Sequence, residues 1–143
     1  MKAKEVMTIH PEMISANEPV INAAKKMKDF NVGSLPVSQE NKLAGVITDR
    51  DIVLRAVSEK RDLNSTRVGD IMSRGAITCN EDWDIQECAK VMEEKQVRRV
   101  VVTNKTGDPS GIISVGDLAT KAGEEIGGEI ISRVSQPSNP KRG

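Results

Sequence analysis

The chain carries one phrase twice. Gly45-Val46-Ile47-Thr48-Asp49-Arg50-Asp51 returns as Gly111-Ile112-Ile113-Ser114-Val115-Gly116-Asp117. Each copy is a glycine, two β-branched apolar residues, a hydroxyl, and an aspartate three positions after the hydroxyl. That order predicts a strand, a helix cap and a helix. The repeat reaches upstream at a constant offset that takes Val6-Met7-Thr8 to Ile71-Met72-Ser73. At this offset Val20, Ala24, Lys25, Met27, Val32 and Val37 meet Ile85, Ala89, Lys90, Met92, Val97 and Val102. A long period that occurs only twice marks a duplicated domain half, because repeat arrays usually need about three units to bury a continuous core. The repeats read as 1–62 and 63–124, with a C-terminal extension over 125–143.

Each half has the same internal grammar. After an extended segment at 13–16, Asn17-Glu18-Pro19 offers a capping residue and an early proline, and Val20, Ala23, Ala24, Met27 and Phe30 follow at helical spacing. The matching helix is expected to start near Asp82, with Ile85, Cys88, Ala89 and Met92 on one face. Apolar runs at 35–37 and 43–47, then 100–103 and 111–114, are separated by turn residues and read as hairpins. A second helix is predicted over 49 to about 59 and over 115 to about 122. The polar stretch 58–67 bridges the halves. A further helix over 124–134 is expected even though Gly127-Gly128 costs about 1 kcal/mol per glycine. The ending from Gln136 has no apolar face and reads as disordered, or as a basic tag for a partner.

Composition narrows the function. Of 143 residues, 21 are Lys or Arg and 21 are Asp or Glu, so the net charge is zero and no non-specific pull toward nucleic acid or anionic membrane is expected. Phe30 and Trp83 are the aromatics, with no tyrosine, which is too few for a base-stacking surface. No apolar run has the length of a membrane span and no signal-type stretch follows the N-terminus, so a soluble cytoplasmic protein is expected. Cys79 and Cys88 lack zinc-ligand spacing and read as buried small hydrophobes, and His10 has no ligand-spaced partner, so no metal is expected. With one histidine, no Ser-His-Asp set and no phosphate loop, catalysis has no candidate residues and the chain is not expected to be an enzyme.

The pairs Thr48/Asp51 and Ser114/Asp117 admit two readings. As capping boxes they stabilise a helix start by about 0.5–2 kcal/mol each. As ligand groups, each carboxylate can accept from both hydroxyls of a ribose, beside exposed N–H groups that attract phosphate. The duplication raises the second reading to equal standing with the first.

With these residues in view, the chain resembles a tandem CBS domain pair, the Bateman module, over about 4–123. The marks are Val6-Met7-Thr8 and Ile71-Met72-Ser73, the alanine-to-methionine helices, Val32-Gly33-Ser34-Leu35-Pro36-Val37, and the duplicated glycine-to-aspartate phrase. The resemblance implies an α/β fold of the α+β type, two β-α-β-β-α repeats packed about a pseudo-twofold axis with two clefts between them. It implies adenosine ligands, AMP, ADP, ATP or S-adenosylmethionine, held as regulatory ligands and not as cofactors. Carried over, one cleft combines Ile112, Ser114 and Asp117 with Ala23, Val32 and Gly33. The other combines Val46, Thr48 and Asp51 with Cys88, Val97 and Arg98.

Gln96-Val97-Arg98-Arg99 resembles the basic pair before a strand in the regulatory γ subunit of AMP-activated protein kinase, so Arg98 and Arg99 are expected to clamp phosphate. The first half has Gly33-Ser34 there and no charge. Trp83 stands at the lip of one cleft, to stack a base or fill the space, and Arg50 stands where it meets or blocks a phosphate. The resemblance also implies a homodimer through helix faces supplied by Val53, Leu54, Val57, Leu118 and Ala119. The leading expectation is a non-catalytic nucleotide sensor that signals to a separate, unidentified effector protein, and the alternative is an interaction module of the same fold that binds no nucleotide.

Overall fold

The duplicated pattern builds duplicated structure. The computed structural model describes residues 1–9 and 13–134. Along the chain the elements are α1 (Ala3–Val6), β1 (Ile14–Ser15), α2 (Val20–Phe30), β2 (Ser34–Gln39), β3 (Lys42–Thr48) and α3 (Asp49–Asp51), which runs into a π-helical stretch at Ile52–Val57. Then come α4 (Val68–Ile71), β4 (Ser73–Arg74), β5 (Thr78–Asn80), α5 (Ile85–Lys95), β6 (Arg99–Thr103), β7 (Pro109–Ser114), α6 (Val115–Lys121) and α7 (Glu124–Val134).

They form two compact units. One is built around the first repeat and ends at Ile77; the other joins Met1–Ile9 to the chain from Thr78 on. In the first-repeat unit β1 runs parallel to β2 with Ile14 opposite Val37, β2 antiparallel to β3 with Leu35 opposite Ile47, and β3 antiparallel to β4 with Val46 opposite Ser73. The second-repeat unit repeats the pattern, with Cys79 opposite Val102 and Val101 opposite Ile112. Its fourth position is taken by Thr8, which bridges Ile112. The opening segment of each repeat therefore completes the sheet of the other. Sequence periodicity marks where a repeat begins, whereas the hydrogen-bonded edge decides which unit that beginning joins.

The glycine of the repeated phrase is what admits this edge. A Cβ on Gly45 would run into the backbone carbonyl oxygen of Ser73. On Gly111 it would meet the carbonyl oxygen of Thr8 and the Sδ of Met7, both at 2.7 Å.

The apolar faces close the two cores. Ile14, Val20, Leu35, Val37, Ile47 and Ile71 are fully buried in the first-repeat unit, as are Val6, Met92, Ile113, Leu118 and Ile130 in the other. The helices α2 and α5 end alike on left-handed caps, Asn31 with φ 53° and Gln96 with φ 54°. There the N–H groups of Val32 and Val97 donate to the carbonyls of Met27 and Met92. The start of α2 differs from expectation. Pro19, with extended backbone, is the N-cap of α2 and makes no side-chain cap, while Asn17 lies a step too early. The helix α5 starts near Asp82 as expected, with Asp84 as its cap, accepting from the Gln86 N–H.

The second helix of the first repeat also departs from the regular helix expected over 49–59. After one α-helical turn it widens, and Ser58 and Arg61 donate to carbonyls five residues back, at Val53 and Ala56. Ile52 and Ala56 stay buried, while Val53, Leu54 and Val57 are 54%, 45% and 55% exposed. In the second repeat the equivalent helix α6 is overlain by α7. Gly127 comes so close that a Cβ would lie 2.8 Å from the Leu118 carbonyl oxygen and 3.0 Å from the Ala119 Cα. Packing thus offsets the poor propensity of Gly127, though not of Gly128, whose Cβ position is open, and it also corrects the association face drawn from sequence, because Leu118 is fully buried. The tail from Gln136 and His10 lie outside the described residues.

Candidate functional site

Each strand-to-helix turn places a carboxylate in the same frame. Thr48 ends β3 with extended backbone, its Oγ1 accepts the Asp51 N–H at 3.0 Å, and Asp51 Oδ2 accepts the Thr48 N–H at 3.0 Å. Ser114 ends β7 in the same way, with 3.1 Å and 2.9 Å for the matching bonds to Asp117. Two reciprocal bonds close each turn, so both capping boxes expected from sequence are formed.

Beyond the cap, each carboxylate meets two further groups that sequence reasoning did not assign. Ser73 Oγ lies 3.4 Å from Asp51 Oδ1 and 3.5 Å from its Oδ2, and Thr8 Oγ1 donates to Asp117 Oδ1 at 3.3 Å. Arg55 Nε lies 3.9 Å from Asp51 Oδ1, and Lys121 Nζ lies 3.7 Å from Asp117 Oδ1. The cations also reach backbone. Arg55 Nη1 donates to the carbonyls of Ile71 and Met72 at 3.2 Å each, and Lys121 Nζ donates to the carbonyl of Val6 at 3.1 Å. The signal was present in the sequence: Thr8 and Ser73 are the hydroxyls that open the repeats, and Arg55 and Lys121 each stand four residues after an aspartate.

The remaining candidates fall on either side of these turns. In the first-repeat unit the Gly33 carbonyl accepts the Asp49 N–H at 2.9 Å, Ser34 pairs with Thr48, and Val46 lies between Pro36 and Ser73. Val32 is partly buried against the core of that unit. Ala23 is fully buried in the same core. In the second-repeat unit the Arg98 carbonyl accepts the Val115 N–H at 3.0 Å and Arg99 is the register partner of Ser114. Val97 is half-buried and Ile112 buried, while Arg98 and Arg99 are both exposed. Neither guanidinium has a hydrogen bond or ion pair among the described residues. Arg50 and Trp83 are exposed.

Cys79 and Cys88 are free and buried, and the neighbouring Cys79 together with burial pushes the Cys88 thiol far above its ordinary range. Among the described residues no cluster of three or more His, Cys, Asp or Glu side chains could hold a metal ion. No helix among them is long and apolar enough to cross a membrane.

Comparison with known proteins agrees with the duplicated architecture. The family model of the CBS domain matches residues 3–58 and again 68–124. The uncharacterized protein YlbB of Bacillus subtilis is 36% identical over 145 aligned positions, which cover 99% of this chain and 97% of that one. A hexameric CBS-CP12 protein of bloom-forming cyanobacteria superposes with a TM-score of 0.77 at 27% identity, over 85% of this chain and 71% of that one. A CBS domain protein of Pyrobaculum aerophilum, solved in complex with AMP, superposes with a TM-score of 0.74 over 92% of this chain and 99% of that one, at 24% identity.

Proposed function

The chain belongs to the CBS domain family, and from that premise we propose that it is a non-catalytic module that binds adenosine nucleotides at its two carboxylate turns and passes their presence to a separate effector protein. The observation that carries the reading is the use of the two oxygens of each aspartate. Capping engages Oδ2 alone, at 3.0 Å in Asp51 and 2.9 Å in Asp117. Oδ1 is left with contacts of 3.3 Å or longer in both units. A helix cap needs only the first oxygen. A ribose, with two adjacent hydroxyls, uses an acceptor that still has capacity.

The second-repeat unit adds a means of gripping phosphate. Arg99 is paired in register with Ser114, Arg98 is its neighbour, and both guanidiniums are exposed and unengaged among the described residues. A planar guanidinium donates two parallel hydrogen bonds to phosphate. The first-repeat unit has Gly33-Ser34 at this place, so its turn would select the nucleoside part with less demand on phosphate. The Pyrobaculum protein with AMP shares the fold at an identity that speaks for architecture, and the ligand reading here rests on the turns themselves.

Isothermal titration of the full chain with AMP, ADP, ATP, S-adenosylmethionine and adenosine tests the reading. Saturable binding of at least one is expected, and Arg99→Ala should weaken the nucleotides about tenfold while leaving adenosine nearly unchanged. Absence of heat and of any thermal shift with all five would refute the reading and favour an interaction module that binds no nucleotide.

The same chain self-associates in this proposal. Val53, Leu54 and Val57 form an exposed apolar face on the π-helical stretch, whereas α7 covers the equivalent helix of the other unit. The expected result is a dimer in sedimentation experiments that Leu54→Glu converts to monomer with an unchanged circular dichroism spectrum. A monomeric wild type at about 100 µM, a concentration well above the Kd of ordinary specific interfaces, would remove this part of the proposal.

A further inference from the structure

In both aspartates the oxygen left to a ribose is already in contact with other groups. A carboxylate offers about four lone-pair sites. At Asp51 two hydrogen-bond donors are already present, the Thr48 N–H and the Ser73 hydroxyl, and the Arg55 guanidinium is an ion-pair neighbour at 3.9 Å. At Asp117 the two donors are the Ser114 N–H and the Thr8 hydroxyl, and the Lys121 ammonium is an ion-pair neighbour at 3.7 Å. Two incoming ribose hydroxyls would fill the remaining two sites and crowd the groups already there, and the weaker contacts give way first.

Geometry says which. The cap bonds measure 2.9–3.0 Å and are locked reciprocally by the hydroxyl of Thr48 or Ser114. The outer contacts measure 3.3 Å and 3.7 Å in one unit and 3.4 Å and 3.9 Å in the other. Hydrogen bonds weaken with such stretching, and the outer donors are the ones that yield.

These outer donors hold more than a carboxylate. Ser73 lies on β4, the edge strand that follows α4, and Thr8 is the edge bridge that follows α1. Arg55 grips the last carbonyls of the α4 turn, at Ile71 and Met72, while Lys121 grips Val6 at the end of α1. One hydroxyl and one cation thus tie the opening segment of one repeat to the carboxylate of the other. The arrangement occurs twice in the same chain with different residues, Ser and Arg in one unit and Thr and Lys in the other. What is kept is the chemistry and not the side chain.

We infer that the tie and the ribose compete for Oδ1 in each unit, so that a bound nucleotide loosens 68–74 in the first-repeat unit and 1–8 in the second-repeat unit. This rests on the nucleotide reading above and supplies its output: ligand occupancy becomes mobility of the segments that lead into each repeat. Ser73 and Thr8 are positioning residues whose loss favours the ligand.

The test uses the full chain in two measurements. Calorimetry with AMP should show binding tightened about two- to tenfold by Ser73→Ala or Thr8→Ala, the equivalent of one net hydrogen bond, with Ser73→Thr restoring the wild-type affinity. Hydrogen–deuterium exchange without ligand should show Arg55→Gln speeding exchange in 68–74 and leaving 1–8 alone, with Lys121→Gln doing the reverse. AMP added to wild type should speed exchange in the same segments. Unchanged or weakened AMP affinity in both alanine variants overturns the competition, and unchanged exchange in both glutamine variants overturns the tie. If wild type takes up no AMP, the nucleotide reading and the competition fall together, and the exchange result alone decides whether the tie exists.

Discussion

Gly45→Ala and Gly111→Ala are each expected to lower the melting temperature by about 10 °C or more, while Gly116→Ala leaves it unchanged or slightly raised. At Gly45 the new methyl would overlap the Ser73 carbonyl, and at Gly111 it would lie 2.7 Å from the Thr8 carbonyl. Both obstacles are backbone on a hydrogen-bonded edge, so the methyl is accommodated only by moving the strand away. Overpacking of this kind costs about 1–3 kcal/mol, and more where nothing yields. It also breaks the contacts Val46 opposite Ser73 and Thr8 opposite Ile112. For a chain of this size about 3 kcal/mol corresponds to roughly 10 °C. Gly116 is the control, because a Cβ there meets only the Ser114 Oγ, at 3.5 Å, and helix interiors favour alanine by about 1 kcal/mol. Thermal melts followed by circular dichroism decide it. A Gly45→Ala protein that melts with wild type would mean that the opening segment does not lie across the repeated phrase.

The second large effect concerns the ligand. Asp51→Ala and Asp117→Ala should each abolish nucleotide binding at their own turn, a loss on the order of a hundredfold in affinity, since hydrogen bonds to a charged group contribute about 1.5–3 kcal/mol each. Part of any change would come from the lost cap, about 1 kcal/mol of stability. Asp51→Asn separates the two contributions. Its amide oxygen still accepts the Thr48 N–H while the charge is gone, so stability should recover and affinity should not. Calorimetry on the single variants also assigns the sites, because a two-site isotherm would lose one component in each. Full affinity in both alanine variants would leave the aspartates as caps only.

The repeat made most of the fold legible in advance. A hydroxyl three residues before an aspartate predicts the cap wherever it occurs, because the bonds run between neighbours in the chain, and Thr48/Asp51 and Ser114/Asp117 form as expected. The hairpins followed for the same reason, since strand, turn and strand are adjacent. Where the signal was local but subtle the structure differs: Asn17 gives way to Pro19 as the cap of α2. The widened turn of Ile52–Val57 left no trace in a pattern that a regular helix fits equally well.

What tertiary structure alone decided is who partners whom across long separations. Nothing in the spacing of Thr8 says that it meets Asp117, or that Ser73 meets Asp51, because a periodic sequence specifies equivalent places and not the partner of each. Gly127 shows the same division. By propensity it weakens α7, yet close approach to Leu118 and Ala119 requires it there. By itself the sequence determined the duplicated units, their caps and their carboxylates, through interactions a few residues long. The exchange of opening segments, the ties at Oδ1 and the covering of α6 by α7 were settled by burial and edge pairing between parts of the chain that its local chemistry does not connect.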